Sequence, residues 1–202
     1  MPPSTQAHSQ PRSANEYWKK AYDSLDDYVR LTIGTASTDK NDVLAAVLQT
    51  AEQKREICIR KRWKVKLPGG KIIIIRDVVE KIAQWVKMYA PVGDVAVNFN
   101  PSTAALPWAA VRFILQVAIN ETEVHGSIMS ELETISRLIS TSREFERIHL
   151  QRASSPLKQD IEDAITRLYA DILNYLAMTM KYFDTNSFGE KNSLLRYTSP
   201  SI

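Results

Sequence analysis

The sequence predicts a mainly α protein, a multi-helix bundle of about six helices with one small β-hairpin near residues 63–75. Three observations predict it. Apolar residues recur at spacings of three and four along most of the chain, the period of an amphipathic helix. Glycine is scarce, six in 202 residues, which disfavours folds built on many tight turns. Hydrophobic residues make up 44% and charged residues 24%, close to the globular average, so the chain can fill a core.

Residues 1–13, MPPSTQAHSQPRS, carry prolines and serines but almost nothing apolar to bury, and read as a disordered tail. They hold no apolar stretch of the kind a secretory signal needs. A single helical domain is expected over 14–184. Its first helix runs from Asn15 to about Leu31, with Trp18, Tyr22, Leu25 and Val29 on one face. Gly34 breaks the chain, and Asp39 or Asn41 is placed to cap a second helix from about Val43 to Arg62, with Leu44, Val47, Leu48, Ala51 and Cys58 inward. Pro68-Gly69-Gly70 then separates the alternating Trp63–Leu67 from the β-branched run Ile72–Ile75, a strand, a turn and a strand. Such a hairpin needs the helices to pack against.

Asp77 stands where it could cap a third helix carrying Val79, Ile82, Val86 and Tyr89, which Pro91-Val92-Gly93 ends. The fourth, Leu106 to Ile119, is apolar on nearly every face and is expected to be central and nearly fully buried, with Pro107 in its first turn. It is shorter than the roughly 20 residues that cross a bilayer. Arg112 must then find a partner or reach solvent; Gln116 shares its face, and Glu80, Asp94 and Glu131 are candidate partners. A fifth helix carries Ile128, Leu132, Ile135, Ile139, Ser142 and Phe145. The sixth carries Leu157, Ile161, Ile165, Leu168, Ile172, Tyr175 and Thr179. Past Asp184 the period fades, and residues 185–202 read as a loose C-terminal tail.

Little in the sequence points to catalysis. One cysteine, Cys58, forbids an internal disulfide, and its apolar neighbours suit a small buried hydrophobe. His8, His125 and His149 lack metal-ligand spacing. Gly70-Lys71 resembles the end of a phosphate-binding loop, but Ile72 follows where Ser or Thr belongs. The carboxylates Asp26-Asp27 and Glu144/Glu146 lie on charge-rich helices and read as solvated faces. No catalytic, cofactor-binding or metal-ligating residue is therefore expected, and no cofactor.

Lys54 to Lys66, KREICIRKRWKVK, is different. It holds seven basic residues and one acid. Arg60, Lys61, Arg62, Lys64 and Lys66 are the candidate contact residues, for an acidic partner or anionic lipid heads. The plainer alternative is a solvated helix end, where cations also suit the helix dipole. Net charge is only +3, which argues against general nucleic-acid binding.

Several stretches together resemble the N-terminal domain of fungal NWD-type NACHT NTPases. They are Trp18-Lys19-Lys20-Ala21-Tyr22-Asp23-Ser24-Leu25, the run Arg76 to Ile82 with Trp85-Val86, Val92 to Val97, Ala104 to Gln116, Arg167 to Leu173, and Tyr175-Leu176. The Leu106-Pro107-Trp108-Ala109 block with Val111-Arg112-Phe113 is the most specific part. The resemblance implies a non-enzymatic helical signalling or interaction domain of the kind that precedes a NACHT module. It implies a role in non-self recognition or cell-death signalling, with protein partners or self-association; the lack of a signal stretch leads to the expectation of a cytoplasmic location. No NACHT phosphate-binding loop lies within these 202 residues, so ATP hydrolysis is not implied for them. A rival expectation is a membrane-acting cell-death effector that uses a basic amphipathic surface.

Overall fold

A computed structural model describes residues 14–34, 40–90, 102–120, 124–150 and 157–196. The expected tail at 1–13, the loop holding Asp94 and the last six residues lie outside them. The fold is mainly α: seven helices, α1 (Ala14–Asp23), α2 (Asp27–Ile33), α3 (Lys40–Lys61), α4 (Ile75–Tyr89), α5 (Ser102–Ala118), α6 (Gly126–Phe145) and α7 (Lys158–Arg196), among the described residues. One two-stranded antiparallel sheet, β1 (Lys64–Lys66) and β2 (Ile72–Ile74), stands between α3 and α4. No described helix is long and apolar enough to cross a membrane.

The single helix expected over 15–31 is two. Ser24 turns its hydroxyl onto the Ala21 carbonyl at 2.7 Å, competing for an acceptor the helix would use, and Asp26 is extended before α2. The apolar spacing continues across this elbow because Leu25, Val29 and Ile33 all bury. α2 ends at Gly34, whose φ of 76° only glycine adopts without strain.

α5 is central, as its composition demanded: it packs against α1, α3, α6 and α7. Its burial is not complete on every face. Trp108, Val111, Ile114, Leu115 and Ala118 are fully buried, while Arg112 and Gln116 are exposed and Phe113 is half-buried. The two polar residues mark one outward seam, a turn apart. Arg112 needs no buried counter-ion there; its Nε lies 3.4 Å from the Thr50 hydroxyl. Glu80 instead bonds Arg55, and Glu131 accepts from the Tyr175 hydroxyl. α5 also begins earlier than expected, at Ser102, so Pro107 lies in its second turn.

α7 lies along α1, α2 and α5. Trp18 of α1 stacks on Tyr169 of α7, ring centroids 3.8 Å apart and planes 5° from parallel. The backbone of α7 stays helical to Arg196, where the sequence reading placed a loose tail from residue 185. A fading apolar period removes the amphipathic stripe from the sequence, not the helix from the backbone. With no proline between Pro156 and Pro200, nothing removes an i→i−4 bond, and propagation adds one bond per residue.

Candidate contact surface at the hairpin

Just past the end of α3, Arg62 has a left-handed φ of 53° while its N–H donates to the Cys58 carbonyl at 2.8 Å. A non-glycine residue in that region costs roughly 1–2 kcal/mol. This reversal launches β1 from the helix end. The turn back follows from Pro68-Gly69-Gly70: the Gly70 N–H donates to Leu67 O at 3.0 Å, and Gly69 has φ 85°. Proline then glycine at the two central positions is the signature of a type II turn. Lys71 leads into a strand, not a helix, so the phosphate-loop geometry is absent here.

The register pairs Lys64 with Ile74, Val65 with Ile73 and Lys66 with Ile72. Directly paired residues share a face, so the ribbon has an inner side, Val65 and Ile73, and an outer side, Lys64, Lys66, Ile72 and Ile74. The inner side docks on the bundle. Val65 lies so close to Gly126, at the start of α6, that a Cβ there would sit 2.3 Å from its Cγ1. Trp63 and Leu67 also pack against the core. β2 then runs into α4 with no intervening residue, and the Ile75 N–H donates back to Trp63 O at 3.2 Å. Asp77 therefore does not cap this helix. Ile74 holds the cap position, and Asp77 lies in the first turn, gripped by Arg76 at 2.7 and 2.9 Å.

The structure divides the seven cations of the basic segment. Lys54 donates to the Ile119 carbonyl, and Arg55 takes up Glu80 at 2.7 Å, Glu56 at 3.1 Å and Glu52 at 3.3 Å. The remaining five, Arg60, Lys61, Arg62, Lys64 and Lys66, are all exposed. They form no ion pair among the described residues, and Glu52 and Glu56, the acids closest to them in sequence on α3, are engaged by Arg55. Apolar surface accompanies them: Ile72 is 64% exposed, and Ile59 and Ile74 somewhat over a third. Cys58, Ile59, Arg62, Lys64, Ile74 and Arg76 line a cavity of about 320 Å³. Cys58 is the buried member of this lining, and burial pushes the thiol up to about 11. A smaller cavity between α3 and α4, about 250 Å³, is lined by the Arg55–Glu80 pair.

The sequence reading missed one group altogether. Glu146, read as part of a solvated face, is buried where α6 passes into a π-helical turn, Glu146–Leu150. It accepts from the Tyr169 hydroxyl and from Arg143 Nη1 at 3.3 Å. Burial pushes its carboxyl up to about 7, although Tyr169 and Arg143 both favour the charged form. Glu144, two residues earlier, stays at the surface paired with Arg147. The i,i+3 spacing of Arg143 and Glu146 hinted at their pairing; the contact with α7 that buries them had no local signal. His125 holds the position before α6 without a side-chain capping bond, its ring edge-on to Phe183 at 5.1 Å. Among the described residues no group of three or more His, Cys, Asp or Glu could hold a metal ion.

A family model described as a domain of unknown function, DUF7708, matches residues 77–196, more than half of the chain. The chain belongs to the DUF7708 family. The DUF7708 match takes in nearly all of α4 and the whole of α5, α6 and α7, and it ends where α7 ends. The buried Glu146–Tyr169 pair lies inside it; α1 to α3 and the hairpin precede it. No curated protein and no solved structure matches the chain.

Proposed function

We propose that this chain is a non-catalytic binding domain that meets an anionic partner through the outer side of its hairpin and the adjoining end of α3. One observation carries the reading: five exposed cations, unneutralised among the described residues, lie together at the end of α3 (Arg60, Lys61, Arg62) and on β1 (Lys64, Lys66), whose ribbon is fixed to α4 and α6. The burial of Cys58 supports binding over thiol chemistry. The resemblance of several blocks to NACHT-associated N-terminal domains supports a signalling role in the cytoplasm, in non-self recognition or cell death.

The test is titration of the full chain with a fluorescent oligoglutamate peptide at low salt. The expected result is binding that fades as salt shortens the screening length, and that is lost when Arg60, Lys61, Arg62, Lys64 and Lys66 are all replaced by Gln. The five side chains are exposed and form no ion pair among the described residues, so this variant should nearly keep its melting behaviour. Undiminished binding by the folded variant would overturn the reading. So would nucleotide hydrolysis by the purified chain.

A further inference from the structure

The outer side of the hairpin is not merely basic. Its register sets an isoleucine directly across from each lysine, Lys64 against Ile74 and Lys66 against Ile72. Ile59, at the end of α3, extends the apolar element around the cavity that Arg62 and Lys64 also line. We infer that this face docks on an anionic lipid bilayer, with Ile72, Ile74 and Ile59 entering the interfacial layer and Arg62, Lys64 and Lys66 meeting lipid phosphates. The inference rests on the reading of these cations as a contact surface and names what they contact.

Charge and apolar surface together select lipid over a soluble acidic segment. A polyanion needs the cations alone and leaves Ile72 in water. A bilayer answers both parts, because a lysine's butyl stem can lie along a neighbouring isoleucine while its ammonium reaches outward to a phosphate. The acids near this face are already occupied, Glu52, Glu56 and Glu80 by Arg55 and Asp77 by Arg76. No free carboxylate from these positions would face a negative surface. The ribbon is also pre-formed, so docking orders little that was loose.

The apolar element is only three partly exposed side chains, too small to hold the protein to a neutral membrane. Binding should therefore need both parts. A Lys or Arg near an anionic surface contributes about 1 kcal/mol, a factor of about five in partitioning. Losing Lys64 and Lys66 together should weaken binding about 25-fold. Losing the interfacial carbons of Ile72 should weaken it about tenfold.

Flotation of the full chain with vesicles tests this, using phosphatidylcholine alone and phosphatidylcholine with about one-third phosphatidylserine. The expected result is flotation with the anionic vesicles only, weakened in Lys64→Gln/Lys66→Gln and in Ile72→Ser, and retained in Ile72→Leu. Ile59→Ser serves as a second apolar probe should Ile72→Ser unfold, with circular dichroism reporting the fold. Failure to float with anionic vesicles, equal flotation with neutral ones, or wild-type flotation by Ile72→Ser would overturn the inference. The oligoglutamate titration separates the two levels. If it persists while flotation fails, the surface serves a soluble acidic partner and the broader reading stands; if both fail, both fall.

Discussion

Gly126→Ala tests how the hairpin is seated. The added Cβ would lie 2.3 Å from Val65 Cγ1, 2.7 Å from its Cβ and 2.9 Å from its Cγ2. Carbon atoms in contact prefer about 3.5–4.0 Å, so the overlap exceeds 1 Å at its worst. Rotating the valine cannot clear it, because Val65 Cβ does not move with χ1. The ribbon has to back away from α6, or α6 from the ribbon. Overpacking of this kind costs about 1–3 kcal/mol. Gly126 has no left-handed φ, so the backbone itself accepts alanine, and the stiffer unfolded chain returns about 0.4–1 kcal/mol. The net expectation is a loss of about 1–2 kcal/mol, read as a lower urea midpoint at unchanged slope. Val65→Ala removes two of the three clashing atoms, so the double variant should be less destabilised than the sum of the singles. A Gly126→Ala protein as stable as wild type, or strict additivity with Val65→Ala, would refute this packing.

Glu146 makes stability depend on pH. Its folded-state carboxyl is raised from 4.5 to about 7, so the stability it contributes is fully present below about pH 4.5 and is lost as pH rises through about 7. At roughly 1.4 kcal/mol per unit the change is about 3 kcal/mol, and urea melts across that window should show Glu146→Gln abolishing it. Trp108→Ala, which empties a fully buried site on α5, should cost about 3–5 kcal/mol, whereas Phe113→Ala on the half-buried side should cost clearly less in the same melts. Cys58, 2% exposed and with its thiol raised to about 11, should react with a thiol reagent at the rate of unfolding and not faster, as stopped denaturant jumps would show.

Much of this was written locally. The stripes of α3, α4, α6 and α7 and the alternation on either side of Pro68-Gly69-Gly70 gave the helices and the hairpin, because each element carries its own period and its own stop. What escaped depended on neighbours distant in sequence. The Ser24–Asp26 elbow was hidden because Leu25 and Val29 keep helical spacing on both sides of it. The burial of Glu146 is created by Tyr169, 23 residues away. The five cations nearest the hairpin were legible as a candidate surface; what engages the other two, Glu80 on another helix for Arg55 and the Ile119 carbonyl for Lys54, was not. Asp77 looked like a cap because the strand was read as running to Ile75, whereas α4 already begins at that residue.

The direct junction of β2 and α4 gives the hairpin leverage. Nothing slack separates the ribbon from α4, so a push on Lys66 or Ile72 tilts a helix axis instead of being absorbed by a flexible joint. α4 in turn is clamped along α6, through Trp85 Nε1 on Glu133 at 2.9 Å and the Ser140 hydroxyl on the Trp85 carbonyl at 2.8 Å. The ribbon thus acts as a handle outside the family-matched region, welded to the first helix inside it, and whatever grips the handle torques that half of the protein directly.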